Sequence, residues 1–72
     1  MARSRVTGQA GAEYLLEFVR QGAYVRIAAI DPATGIEVVT VGDANRSKQE
    51  LSRVAVQKLE YVLKKKADEA GW

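Results

Sequence analysis

Residues 23–41 read AYVRIAAIDPATGIEVVTV, and this stretch decides the fold. Its two halves, Ala23 to Ile30 and Ile36 to Val41, are rich in β-branched and apolar residues, a composition that suits strands better than helix. Between them, Asp31-Pro32-Ala33-Thr34-Gly35 begins a turn with Asp and Pro and finishes it with Gly, the order of a type I turn entering a left-handed residue. So short a link cannot cross over a sheet, which makes the two strands antiparallel neighbours. Upstream, Tyr14 to Arg20 (YLLEFVR) is a third segment of strand composition. It is closed by Gln21-Gly22, where glycine can take a positive φ. Downstream, Gly42-Asp43-Ala44-Asn45 breaks the chain and the period changes.

Ser47-Lys48-Gln49-Glu50 matches a capping box, in which the serine and glutamate side chains satisfy free amides at a helix start. Leu51, Val54, Ala55, Leu59, Val62 and Leu63 then recur at the spacing of one helix face. Lys64, Lys65 and Lys66 would complement the macrodipole of the last turns, and Gly71 lies past the end. The spacing predicts a helix from about 48 to 67. The fold expected is α+β: a three-stranded antiparallel meander followed by one C-terminal helix packed on one face, βββα. A single domain over 13–67 would lie between a flexible amino-terminal tail, 1–12, and a short carboxyl-terminal tail, 68–72.

The chain has 72 residues, and of its 34 apolar residues 11 are alanine, leaving 23 that can bury substantial area. A domain of this size is marginal unless something adds to its stability. There is no cysteine and no histidine, so disulfides, zinc–thiolate clusters and histidine metal sites are excluded. The net charge of +2 is a weak signal. Its distribution says more, since residues 13–41 carry −2 and residues 47–67 carry +4. No secretory signal and no apolar run of membrane length occur, which makes the cytoplasm the expected compartment and a membrane partner unexpected.

Turn positions assign side chains to faces. With Gln21-Gly22 as a two-residue loop, Arg20 pairs with Ala23, Phe18 with Val25, Leu16 with Ile27 and Tyr14 with Ala29. A four-residue loop over 32–35 pairs Asp31 with Ile36, Ala29 with Val38 and Ile27 with Thr40. The face of Tyr14, Leu16, Phe18, Val25, Ile27, Ala29, Val38 and Thr40 is then the one beneath the helix. The opposite face carries Leu15, Glu17, Val19, Tyr24, Arg26, Ala28, Ile30, Glu37, Val39 and Val41. Seven of those ten are apolar, where a solvated face should be mostly polar. The same count sets Glu17 opposite Arg26 as a cross-strand ion pair. Tyr61 and Val56 widen the apolar arc of the helix, and Lys58 sits inside that arc, where it would have to snorkel. Exposed valines tolerated by a small sheet, with a register one residue off, would account for this; so would a face that meets a second copy or a different protein.

Catalytic chemistry finds little support. The hydroxyls of Ser4, Thr7, Thr34, Thr40, Ser47 and Ser52 have no histidine or cysteine to partner them. Lys58 is better read as snorkelling than as a base. Glu13 and Glu37, both set beside Ile30, could raise one another's pKa, but as edge residues they are better read as solvated. The glycines have no phosphate-loop spacing. Nucleic-acid binding is the alternative, because a three-stranded sheet backed by a carboxyl-terminal helix resembles the arm-type domains of phage and transposon integrases and the plant AP2 domain. Groove readers, however, present several basic or amide side chains on the sheet, and here Arg26 stands among glutamates.

The combination of YVRIAAIDPATGIEVVTVG with ELSRVAVQKLEYVLKK resembles a group of small bacterial proteins classed as a domain of unknown function. The likeness covers about residues 13 to 65 and rests on the Gly22-to-Tyr24 turn, the Asp31-Pro32…Thr34-Gly35 turn and the stretch Leu59 to Leu63. It implies a bacterial, cytoplasmic origin and carries over no activity and no site residues. The residues themselves support a non-enzymatic interaction module without a cofactor, a homodimer or the partner of another protein, associating through the outer face or edge of the sheet. Its interface would be Leu15, Val19, Tyr24, Arg26, Ala28, Ile30, Val39 and Val41. In the alternative, a weak nucleic-acid binder, Lys64, Lys65 and Lys66 contact phosphate together with Arg3 and Arg5.

Overall fold

The computed structural model describes residues 2–70. Four antiparallel strands lie in chain order: β1 (Ala2–Thr7), β2 (Glu13–Gln21), β3 (Tyr24–Asp31) and β4 (Ile36–Asp43). Among the described residues one α-helix, α1 (Lys48–Glu69), packs across β3 and β4, and a single 3-10 turn, Gln9–Gly11, lies between β1 and β2. The expected three-stranded sheet is therefore corrected to four strands. The additional strand, ARSRVT, comes from the stretch read as a tail, and it pairs with β2 from Ala2↔Phe18 to Thr7↔Glu13. Ala2, Ser4 and Val6 point toward the helix side and Arg3, Arg5 and Thr7 away from it, a period-2 alternation with too little apolar content to stand out.

The turn over 31–36 forms as its residues dictate. Asp31, only 7% exposed, accepts hydrogen bonds from Ala33 N (3.1 Å) and the Thr34 hydroxyl (2.9 Å). Gly35 takes the left-handed conformation at φ 76° and donates its N–H to the Asp31 carbonyl, so Asp31 pairs with Ile36 as expected. The first hairpin differs by one step. Its loop is Gly22-Ala23, with glycine at φ 62° in the first loop position and Gln21 opposite Tyr24. Placing the glycine first suits the primed turn that matches strand twist. Each β2 residue therefore meets a partner two positions from the one expected. Because side chains alternate with period 2, every residue keeps its face while its neighbours change.

The core is formed on the face assigned to it. Tyr14, Leu16 and Phe18 of β2, Ile27 and Ala29 of β3 and Val38 of β4 are buried against Leu51, Ala55 and Leu59 of the helix. Gly42 lets the helix approach, because the Leu51 side chain occupies the space that a Cβ there would need. Ser47 caps the helix by accepting from Glu50 N at 3.1 Å, while the Glu50 carboxylate turns to Arg46 at 3.8 Å. The helix runs through Glu69, two residues beyond the expected end, and Gly71 lies outside the described residues. Val54, expected on the core face, is exposed.

Thr40 faces the core as expected, and its Oγ1 is buried with no hydrogen-bond partner among the described residues. A buried hydroxyl without a partner forfeits its hydration, and valine has nearly the same shape without that cost. Thr40→Val is expected to raise stability by about 1 kcal/mol. Urea denaturation reads this as a higher midpoint at constant slope; an unchanged or lower midpoint would show that the hydroxyl is satisfied.

Glu60 ties the amino-terminal hairpin to the helix. Its Oε2 accepts from Gln9 N at 2.8 Å and from the Tyr14 hydroxyl at 3.2 Å. Burial pushes the Tyr14 hydroxyl above its usual pKa, with the Glu60 charge and hydrogen bond adding to the shift, so the phenol stays protonated and keeps donating. Gly8 presses against both groups and bridges the β1–β2 connection with an N–H to the Ala12 carbonyl.

Candidate interaction surface

The strand register arranges the outer face in rows. Arg5, Leu15, Ile30 and Glu37 form one row across the four strands, and Arg3, Glu17, Ala28 and Val39 form the next. Val19, Arg26 and Val41 follow, then Gln21, Tyr24 and Asp43. All eight residues expected at an interface therefore share this face, with no helix over it. They are not equally available. Tyr24 (52% exposed), Val41 (63%) and Leu15 (37%) stand out, while Ile30, Val39 and Val19 are half-buried. Ala28, at 3%, is closed over by larger neighbours and forms the floor of the face.

The expected Glu17–Arg26 ion pair does not form. Glu17 stands opposite Ala28, and its carboxylate accepts from Arg3 Nε at 3.1 Å across the β1–β2 pairing. The cause is the two-position change of partner in the first hairpin, which sets Arg26 between Val19 and Val41. Glu13 and Glu37 are not a pair either. Glu37 lies directly opposite Ile30, whereas Glu13 pairs with Thr7 in a different row and two strands away, about 10 Å.

Arg3 and Arg5, expected in a loose tail, stand instead on the outer face of β1. The alternation of ARSRVT was the available signal. Together with Leu15, Glu17 and Ile30 they surround a hollow of about 440 Å³, open on the outer face. The lysines expected to contact phosphate together with these arginines fall elsewhere. Lys64, Lys65 and Lys66 are exposed on the helix, over the opposite side of the sheet from Arg3 and Arg5. A 22-residue helix is about 33 Å long against about 26 Å for an eight-residue strand. The lysines therefore lie beyond Glu60 toward the end of the helix, on the side of the sheet away from the arginines.

The sheet edges differ from its face. Lys58, as expected, reaches out of the apolar arc; its Nζ donates to the Val39 carbonyl at 2.8 Å and occupies the free edge of β4 at that point. On the other edge β1 is short and bears two arginines. Both are devices that discourage strand-to-strand addition. No helix among the described residues is long and apolar enough to cross a membrane. Among the same residues no group of acidic side chains is arranged to hold a metal ion.

Residues 11–66 match the family model described as Domain of unknown function (DUF6898). No curated protein and no solved structure matches the chain.

Proposed function

We propose that this chain, which belongs to the DUF6898 family of domains of unknown function, is a non-enzymatic module that associates with a second copy of itself through the outer face of its sheet, in a bacterial cytoplasm. The observation that carries this reading is the exposure of Leu15, Tyr24 and Val41 on the face without a helix, continuous with half-buried Val19, Ile30 and Val39. A marginal domain that holds six large apolar side chains away from its only core gains more from burying them than from leaving them in water, at roughly 25 cal/mol per Å². Tyr24 is the natural anchor, since aromatic side chains dominate interface energies.

The size of the face places the association at the small end of specific interfaces. Four strands at about 4.8 Å spacing and eight residues at about 3.3 Å rise offer on the order of 500 Å² per copy. A pair then buries about 1,000 Å², the lower bound of a specific interface. The dimer is therefore expected to dissociate in the micromolar range, with a sedimentation mass that rises with concentration. Leu15→Glu with Tyr24→Glu, both at exposed positions, is expected to hold the chain monomeric at the same concentrations with an unchanged circular dichroism spectrum. A wild type that stays monomeric to several hundred micromolar, or a double variant with the wild-type mass, overturns the reading.

A further inference from the structure

The charges of the outer face change sign from strand to strand. Strand β1 carries Arg3 and Arg5, β2 carries Glu13 and Glu17, β3 carries Arg26 and β4 carries Glu37 and Asp43, while Leu15 and Ile30 lie between Arg5 and Glu37 in one row. Resting on the self-association proposed above, we infer that the two copies stack face to face about a two-fold axis parallel to the strands, with β1 of each copy over β4 of the other.

Symmetry leaves few arrangements, and charge separates them. A two-fold axis across the strands lays each strand over its own copy, so the β1 arginines meet arginines and the β4 acids meet acids. An axis perpendicular to the sheet joins edges instead of faces. Joined through β1, it brings Arg3 and Arg5 of both copies together; joined through β4, it must displace Lys58 from the Val39 carbonyl. Pairing β1 of one copy with β4 of the next at the edge is head-to-tail and does not close into a dimer. An axis along the strands preserves rows and exchanges strands, β1 for β4 and β2 for β3. Arg5 then faces the partner's Glu37, and Leu15 faces the partner's Ile30. Glu17, held by Arg3, faces the partner's Ala28, whose small side chain leaves room for the ion pair. The hollow beside Arg5 and Leu15 receives the partner's β3 and β4 side chains. Sheets stacked in this way cross at about 30° because each is twisted, so the opposition holds at the level of rows.

Charge reversal tests the stacking separately from dimerisation. Arg5 and Glu37 occupy the two edge strands, about 14 Å apart in one copy, so they do not neutralise each other within a chain. Arg5→Glu alone and Glu37→Arg alone are each expected to weaken the dimer about tenfold at low salt, because each reversal sets two like-charged pairs across the interface. The chain with both reversals is expected to return to within about threefold of wild type. An equimolar mixture of the two single variants is expected to form a heterodimer of near wild-type affinity. A wild type that never dimerises overturns the self-association itself. A wild type that dimerises while the reversals have no effect, or are not rescued by the double variant and by mixing, overturns this stacking and leaves self-association standing.

Discussion

Leu59→Ala is expected to remove about 3 kcal/mol of stability, more than any other single truncation on the helix. Leu59 is fully buried, and with Leu16 and Ile27 it is one of the three largest side chains that are. It is also the only one of these supplied by the helix. Truncating such a leucine loses the transfer energy of three heavy atoms and leaves a cavity that the sheet, held by its hydrogen bonds, cannot close, at a cost of about 2–5 kcal/mol. A domain of this length has on the order of 5 kcal/mol to lose. Urea denaturation at one fixed protein concentration is the measurement, because a dimerising chain has a concentration-dependent midpoint. Arg53→Ala, exposed on the same helix, should stay within about 0.5 kcal/mol of wild type. A Leu59→Ala chain that loses under 1 kcal/mol would mean that the helix does not complete the core.

Gly8→Ala is expected to produce the second large effect, a loss of about 2–3 kcal/mol centred on β1. A Cβ at this position would overlap the Tyr14 ring, whose Cζ lies 2.8 Å away, and would approach Glu60 Oε2 at 2.7 Å. The backbone of Gly8 is extended, at φ −96°, so the cost is steric and not conformational. Tyr14 is buried and cannot rotate aside, and overpacking of this kind costs about 1–3 kcal/mol. Displacing the ring also breaks the hydrogen bond from Tyr14 to Glu60 and strains the one from Gln9 N. Amide hydrogen exchange should show lost protection in residues 2–7 with β3 and β4 still protected. Unchanged protection of β1 would show that the connection relaxes without releasing the strand.

The hairpin of β3 and β4 and the capped helix were legible because local chemistry suffices for them: the Asp31 side chain builds its own turn, and the Ser47 hydroxyl caps its own helix. The candidate surface was legible for a subtler reason. The first hairpin formed one residue later than the sequence suggested, yet a change of two in partner leaves every side chain on its face. What that change did alter was who stands opposite whom, which is why Glu17 meets Ala28 and Arg3 in place of Arg26. Strand β1 was not legible, because Ala2, Ser4 and Val6 bury little and their alternation with Arg3, Arg5 and Thr7 has too little apolar contrast to mark a strand.

The sequence by itself determined the order of strands and helix, the two faces of the sheet and the surplus of apolar side chains on the outer one, since each follows from periodicity and turn chemistry within a few residues. Only the tertiary structure decided that the sheet has a fourth strand and that arginines line its first edge. The reason is distance along the chain. β1 is secured by a ladder to β2 and a connection clamped by Glu60, and the hydrogen bond from Gln9 N to Glu60 spans 51 residues. No local pattern encodes a contact of that range. It is this strand that turns an apolar face into one with opposite charges on its two sides.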